Sequence, residues 1–279
     1  MKQRIKLKKN FNVIKSSGTT EPFSKKKLYT SIHHTGLLPK TCKKITDKVA
    51  AELDEGFKTR DIYRKALNLV RESSPVAAIH YSLKRALFDL GPSGHPFENF
   101  VGKYFEAKGF ETKTCQTIQG KFVKHEIDVV GTKDNQKIFA ECKFHNHQGI
   151  KNDVKITLYV KARWDDVKDG PEGRNLKYFF LASNTSFSLD AIMYAEGSGL
   201  QLLGVNAPKE LSFFDEIKKM RLYPITSLKQ INRHFKSRLL ASGFVLAKEL
   251  TSQQKLLIQM GMTDVEIGRL MNEIQLLVN

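Results

Sequence analysis

Two carboxylates and a lysine stand where an apolar hairpin would be expected to carry core residues. Ile127-Asp128-Val129-Val130, a turn, and Ile138-Phe139-Ala140-Glu141-Cys142-Lys143 read as paired strands, each an apolar run interrupted by an acid. Glu141 and Lys143 are two residues apart, so both side chains leave the strand on one face. Asp128 on the neighbouring strand can reach that face as well. Such a grouping is costly unless a cation or an anionic substrate satisfies it. Hard oxygen ligands of this kind suit Mg²⁺, with Mn²⁺ as a substitute. The spacing predicts that Asp128, Glu141 and the backbone carbonyl of Cys142 hold Mg²⁺ against a phosphate, polarising it and lowering the pKa of a bound water. Lys143 would orient or help deprotonate that water and offset charge on the phosphorus. The competing reading is an ordinary hairpin with surface charges.

The elements that must position these residues follow from punctuation and periodicity. Gly91-Pro92-Ser93-Gly94-His95-Pro96 is the densest Gly/Pro stretch and marks a boundary. Beyond it a helix is expected over 97–108, strands over 111–118, 122–130 and 137–144, and a helix over 152–169. A strand over 176–183, a short helix over 189–195 and a last strand over 201–205 complete a mixed sheet covered by helices. From Ile225 the pattern is helical, ending in a pair over 252–260 and 264–277. Their hinge, Gly261-Met262-Thr263, reads either as a helix-hairpin-helix element or as the turn of a helical end that packs on the body or dimerises.

The D-(x)12-E-x-K arrangement of Asp128, Glu141 and Lys143 resembles the PD-(D/E)XK nuclease superfamily, and its context resembles the Mrr-type restriction endonuclease branch. The supporting residues are Phe97-Glu98 opening a helix, Gly109-Phe110, Gly120 and His125-Glu126-Ile127-Asp128, and the likeness covers about residues 95–205. The resemblance implies that Glu98, at the first-helix acidic position, joins the metal site. An exposed glutamate in a first turn also simply suits a helix N-terminus. Ile127 stands where the family usually has Pro. His125 reads as a phosphate contact or as structural support. Lys151, Lys155, Lys161 and Arg163 read as a phosphate-tracking face or as a solvated one, and Ser183 to Ser188 as a run of donors or a capped loop. Trp164 is expected in packing. His145 and His147 lack a zinc-type constellation.

The front third reads as a short hairpin, 12–14 and 21–23 around Gly18, followed by helices over 24–35, 39–55, 59–73 and 76–90. Val13-Ile14-Lys15-Ser16-Ser17-Gly18, Glu21-Pro22-Phe23, Lys27-Leu28, Thr59-Arg60-Asp61-Ile62 and Tyr81 resemble the ATP-cone domain of ribonucleotide reductases and their repressors. The resemblance implies that Lys15 and Lys27 meet phosphates, Glu21 positions the nucleotide and Thr59 lines base or sugar. Two lysines near a turn glycine make a plausible triphosphate cradle. Ser16 replaces the arginine usual in that family, so the domain reads either as an ATP or dATP sensor or as a retained helical scaffold that touches DNA.

Charge agrees with a polyanionic partner. The 279 residues carry 46 Lys and Arg against 29 Asp and Glu, a formal +17. Residues 1–90 hold 20 basic against 8 acidic residues, and the remainder 26 against 21. A basic front third on a nearly balanced body favours nucleic-acid or nucleotide contact over a merely solvated face. No apolar run suits a membrane span or signal peptide. Cys42, Cys115 and Cys142 lack the paired spacing of a disulfide framework or a cysteine zinc site.

The expected fold is α/β: a mixed, helix-flanked nuclease-like sheet with an N-terminal, mainly helical ATP-cone domain and a helical C-terminus. The expected organisation is a basic tail (1–10), the nucleotide-binding domain (11–90), the nuclease domain (91–222) and a helical region (223–279). The expected function is a cytoplasmic Mg²⁺-dependent DNA endonuclease of restriction or defence type, acting as a possible homodimer. ATP or dATP would serve as effector rather than fuel, since no Gly-x-x-x-x-Gly-Lys-Ser/Thr loop is present. The alternatives are a nucleotide-responsive DNA-binding regulator that does not cut, and a repair or junction-resolving nuclease.

Overall fold

In the computed structural model, which describes residues 11–15, 18–147 and 149–278, the chain divides into two units, Met1–Ser82 and Leu83–Asn279. The first unit opens with β1 (Asn12–Ile14) and β2 (Thr20–Pro22), paired antiparallel with Val13 across from Glu21. Phe11 and Phe23 stack at the open end with ring centroids 5.0 Å apart. Ser24 caps α1 (Lys25–His33) by accepting from the Lys27 amide at 3.2 Å. Pro39 opens α2 (Pro39–Ala51), where its missing N–H costs nothing. α3 (Thr59–Ser73) and α4 (Pro75–Phe88) follow. Val13, Leu28, Ile32, Ile45, Val49 and Ala66 close a common core. The Ile14 amide donates to the Phe57 carbonyl at 2.9 Å, tying the hairpin to the start of α3.

The second unit is a mixed sheet between helices. α5 (His95–Ala107) leads into β3 (Glu111–Gln119), β4 (Lys124–Lys133) and β5 (Gln136–Lys143), an antiparallel meander. β6 (Lys151–Asn152) and the helix α6 (Val154–Lys168) then carry the chain to β7 (Leu176–Ser183), parallel to β5. β8 (Ser186–Phe187), α7 (Leu189–Ser198) and β9 (Gln201–Leu203) complete it, with sheet order β3-β4-β5-β7-β9. Phe105 of α5 packs on Phe180 at 4.9 Å, and Trp164 of α6 approaches Phe179 at 6.5 Å. Phe179 and Phe180 are consecutive on β7 and therefore face opposite ways, so α5 and α6 cover the two faces. Trp164 packs against the core, as expected. The chain ends in α8 (Phe213–Lys219), α9 (Arg233–Ala241), α10 (Gln254–Gln259) and α11 (Asp264–Val278).

Several boundaries differ from the sequence reading for local reasons. The second strand of the meander starts at Lys124, because the amides of Phe122 and Val123 donate to the Asp166 carboxylate at 2.9 and 3.3 Å instead of to a ladder. The long helix starts at Val154, with Asp153 as its cap and Asn152 drawn into the small parallel pair β6–β8. α8 was not anticipated from sequence; Ser212 caps it, accepting from the Asp215 amide. The region after Ile225 includes two 3-10 turns, Ile225–Ser227 and Ala247–Ser252. The hinge at Gly261 has φ +97°, and Thr263 caps α11 by accepting from the Glu266 amide at 3.3 Å. The basic tail 1–10 and Ser16 lie outside the described residues.

Candidate active site

Register brings the hairpin carboxylates together. β4 and β5 are joined by Asp134-Asn135, both with positive φ (46° and 62°), between the paired residues Lys133 and Gln136. Such a two-residue turn matches strand twist and fixes the pairing. The ladder runs from there to Val129↔Ala140 and stops. One step further places Asp128 across from Glu141. β4 nevertheless stays paired with β3 as far as Lys124, and β5 with β7 as far as Lys143. The sheet therefore forks between β4 and β5, and the site residues lie in the fork. The Cys142 amide, released from the ladder, donates to Asp128 Oδ2 at 2.6 Å.

A buried arginine holds the fork. Arg163 of α6 is 9% exposed; its guanidinium donates to Glu141 Oε2 and to the Glu126 carbonyl, and so bridges both parted strands. This corrects the reading of Arg163 as a phosphate-tracking side chain. The signal was present, because Thr157, Val160, Arg163 and Val167 form the buried stripe of α6, and a charge on such a stripe needs a partner. Lys161 pairs with Asp165, while Lys151 and Lys155 are exposed. His125 Nε2 lies 2.7 Å from Asp166 Oδ2, which also anchors the β3–β4 turn, so His125 is structural support.

The carboxyls are held close to neutrality. Burial pushes Asp128 up to about 6, Glu98 and Glu126 act in the same direction, and the Cys142 amide and Arg163 oppose it. Burial likewise raises Glu141 to about 7, reinforced by Asp128 and opposed by Arg163 and Lys143. Two oxygen-ligand groups that resist ionising together are a fit for a divalent cation, which would compensate both. Lys143 is exposed and close enough to act on Glu141. Glu98, in the first turn of α5, acts on Asp128, so that expected acid also reaches the fork.

The strand end bearing Lys143 is clamped by a buried polar network, where the sequence suggested a run of available donors. Asn152 Nδ2 donates to Ser183 Oγ at 2.9 Å and to Thr185 Oγ1 at 3.0 Å, and Asn152 Oδ1 lies 2.8 Å from His145 Nε2. Ser183 Oγ donates to the Lys143 carbonyl at 2.8 Å, and the Asn184 side chain pairs with both backbone groups of His145. Buried polar groups satisfied in this way specify one geometry. His145, Ser183 and Asn184 therefore hold the strand end that carries Lys143.

A further cluster had no sequence signal in cysteine spacing. His95 and Glu98, one helical turn apart on α5, meet Cys115 of β3, with His95 Nδ1 3.3 Å from Glu98 Oε2 and Cys115 Sγ 3.6 Å from that oxygen.

In the first unit, Glu21 Oε2 takes both cradle lysines, Lys15 at 2.8 Å and Lys27 at 3.2 Å. Its pKa is lowered first by the Lys15 hydrogen bond. Lys58 bridges to Ile14, so Thr59 begins α3 beside the strand that leads to Lys15.

A mixed sheet covered by helices, with paired acids and a lysine in a strand fork, defines a nuclease-type core. Family models agree in three segments: an ATP cone domain at residues 11–85, a restriction endonuclease domain at 91–207 and an AF1548-like C-terminal domain at 223–278. An uncharacterized protein of Archaeoglobus fulgidus is 34% identical over 152 residues, spanning 54% of this chain and 84% of that protein. The crystal structure of a protein of unknown function, AF1548, superposes with a TM-score of 0.55 at 29% identity, covering 67% of this chain and 98% of that one. The chain belongs to the family of this Archaeoglobus fulgidus protein and carries, in order, an ATP cone domain, a restriction endonuclease domain and an AF1548-like C-terminal domain. No helix among the described residues is long and apolar enough to cross a membrane.

Proposed function

We propose that the protein is a Mg²⁺-dependent DNA endonuclease of restriction or defence type, controlled by ATP or dATP bound to its ATP cone. The observation that carries this reading is the fork itself: Asp128 at about 6 and Glu141 at about 7, side by side with Lys143. Asp128, Glu141 and the Cys142 carbonyl hold the ion, and Glu98 completes the acidic set. The bound ion, with Mn²⁺ as its substitute, supplies positive charge against the scissile phosphate. Arg163 keeps Glu141 oriented and the strands parted. Lys143 orients the attacking water and offsets charge that develops on the phosphoryl oxygens.

In the ATP cone, Glu21 holds Lys15 and Lys27 together before nucleotide arrives. A triphosphate competes with Glu21 for these lysines, and Thr59 lines base or sugar. The same domains give the proposed boundaries at 11–90, 91–222 and 223–279. Each nuclease site cuts one strand, so a homodimer is the proposed cutting assembly, in the cytoplasm.

The test is plasmid cleavage with Mg²⁺, with and without ATP, by the wild type, Asp128→Ala and Lys143→Ala. Both variants are expected to lose at least about 10²-fold in rate while still binding DNA. Binding without cleavage by the wild type, across linear, methylated and branched DNA, would replace this reading with a regulator that only grips DNA. Cutting confined to branched DNA would replace the restriction role with a repair role.

A further inference from the structure

We propose that His95, Glu98 and Cys115 form a binding site for a thiophilic divalent metal ion, Zn²⁺ in the first place, which borders the acidic fork and shares Glu98 with it. The three donors come from two elements, the first turn of α5 and the middle of β3. Their ligand atoms all lie within 4.8 Å of one another. His95 Nδ1 is 3.3 Å from Glu98 Oε2, Cys115 Sγ is 3.6 Å from the same oxygen and 3.8 Å from His95 Nδ1. With the usual Zn–N, Zn–O and Zn–S bond lengths, a tetrahedral ion sets donor separations of about 3.3–3.6 Å. Two edges of the cluster fall in that range and the third, 3.8 Å from sulfur to imidazole, is only slightly longer; the exposed His95 and Cys115 leave the fourth position to water.

Backbone and field both agree with this assignment. Cys115 has φ +53° in the middle of a strand, and the β3–β4 ladder pairs Thr114 with Val129 and Gln116 with Ile127 but leaves out Cys115, opposite Asp128. A non-glycine residue is kept in that region only where its surroundings demand it. The surroundings are acidic: the Glu98 carboxylate lies 3.6 Å from the thiol, and Cys115 stands across the β3–β4 ladder from Asp128. A cation reverses that balance. On coordination the thiol proton passes to solvent and sulfur binds as thiolate, which Mg²⁺ disfavours and Zn²⁺ accepts. The ion would pin α5 to β3 and fix Glu98 beside Asp128.

The assignment stands whether or not the fork cuts DNA, and its test reads metal rather than cleavage. Metal-stripped full-length protein is titrated with Co²⁺ in excess Mg²⁺, with Zn²⁺ as competitor. One equivalent is expected to give a thiolate-to-cobalt charge-transfer band that Zn²⁺ removes. The band should persist in Asp128→Asn, disappear in Cys115→Ser, and require about tenfold or more Co²⁺ in His95→Ala. Zn²⁺, but not Mg²⁺, should also protect Cys115 of the wild type from alkylation, a readout that needs no variant. A wild type without the band, or a band that survives Cys115→Ser, would overturn the proposal. Inactive protein that still shows the band would sink the nuclease reading alone.

Discussion

Asp128 and Glu141 are ionised reluctantly, and this makes their contribution to stability depend on pH and metal. Near pH 4 and below, both carboxyls are largely protonated in the folded chain and increasingly so in the unfolded one, so they contribute little difference. As pH rises toward 6 and 7, the unfolded chain releases its protons first, and the metal-free fold is progressively penalised. A tenfold difference in proton affinity between the two states is worth about 1.4 kcal/mol, so raising Asp128 from 3.8 to about 6 gives a penalty of about 3 kcal/mol by pH 8. Asp128→Asn should therefore stabilise the chelator-treated protein by about that amount at pH 8 and hardly at pH 4, as measured by denaturant unfolding. Equal stability of the two proteins at pH 8 would mean that the pair is not desolvated. The same protons compete with Mg²⁺, so its affinity should rise as pH increases through about 7.

The fork is a property of elements. β4 stays with β3, β5 stays with β7, and Arg163 on α6 spans the gap. Replacing Arg163 by Met leaves Glu141 buried without its counter-charge and the Glu126 carbonyl without its donor. The expected loss is about 3 kcal/mol at pH 8, and smaller at pH 5, where Glu141 protonates. Arg163→Lys should recover little, because an ammonium lacks the planar fork that serves both acceptors at once. A full rescue by lysine would reduce Arg163 to a simple counter-charge. The Asn152 network works at the same end of β5, just beyond the fork. Asn152→Ala leaves Ser183, Thr185 and His145 short of a partner and should cost about 1–3 kcal/mol. Cleavage should fall further than DNA binding, because the network fixes the strand that carries Lys143.

At the scale of the whole molecule, with a formal charge of +17, the proposed DNA binding should weaken steeply with salt, with a logarithmic slope of about 0.9 per phosphate contacted, as read by titrations at several salt concentrations. If nucleotide is an effector, a non-hydrolysable ATP analogue should change cleavage as much as ATP does, and Lys15→Ala should abolish the response while leaving basal cleavage intact. A requirement for hydrolysis, read by comparing the two nucleotides in one cleavage assay, would contradict the effector role.

Much of this was legible along the chain because it rests on short-range patterns. Thr59–Ser73 and Leu176–Ser183 were delimited to the residue by periodicity and composition, and β-strand alternation put Glu141 and Lys143 together. Residues that act through long-range contacts were not legible. Arg163 meets a glutamate 22 positions away, Cys115 meets a helix turn 17 to 20 positions away, and Asn152 reaches a strand end 31 positions on. The sequence by itself determined the kinds of element and the chemistry of the acids, because backbone periodicity and residue type are local. Only the tertiary structure decided that the sheet forks, that an arginine closes the fork and that a thiol joins the helix. Those outcomes depend on where ladders end and which buried charges find partners, and no spacing along one strand records that.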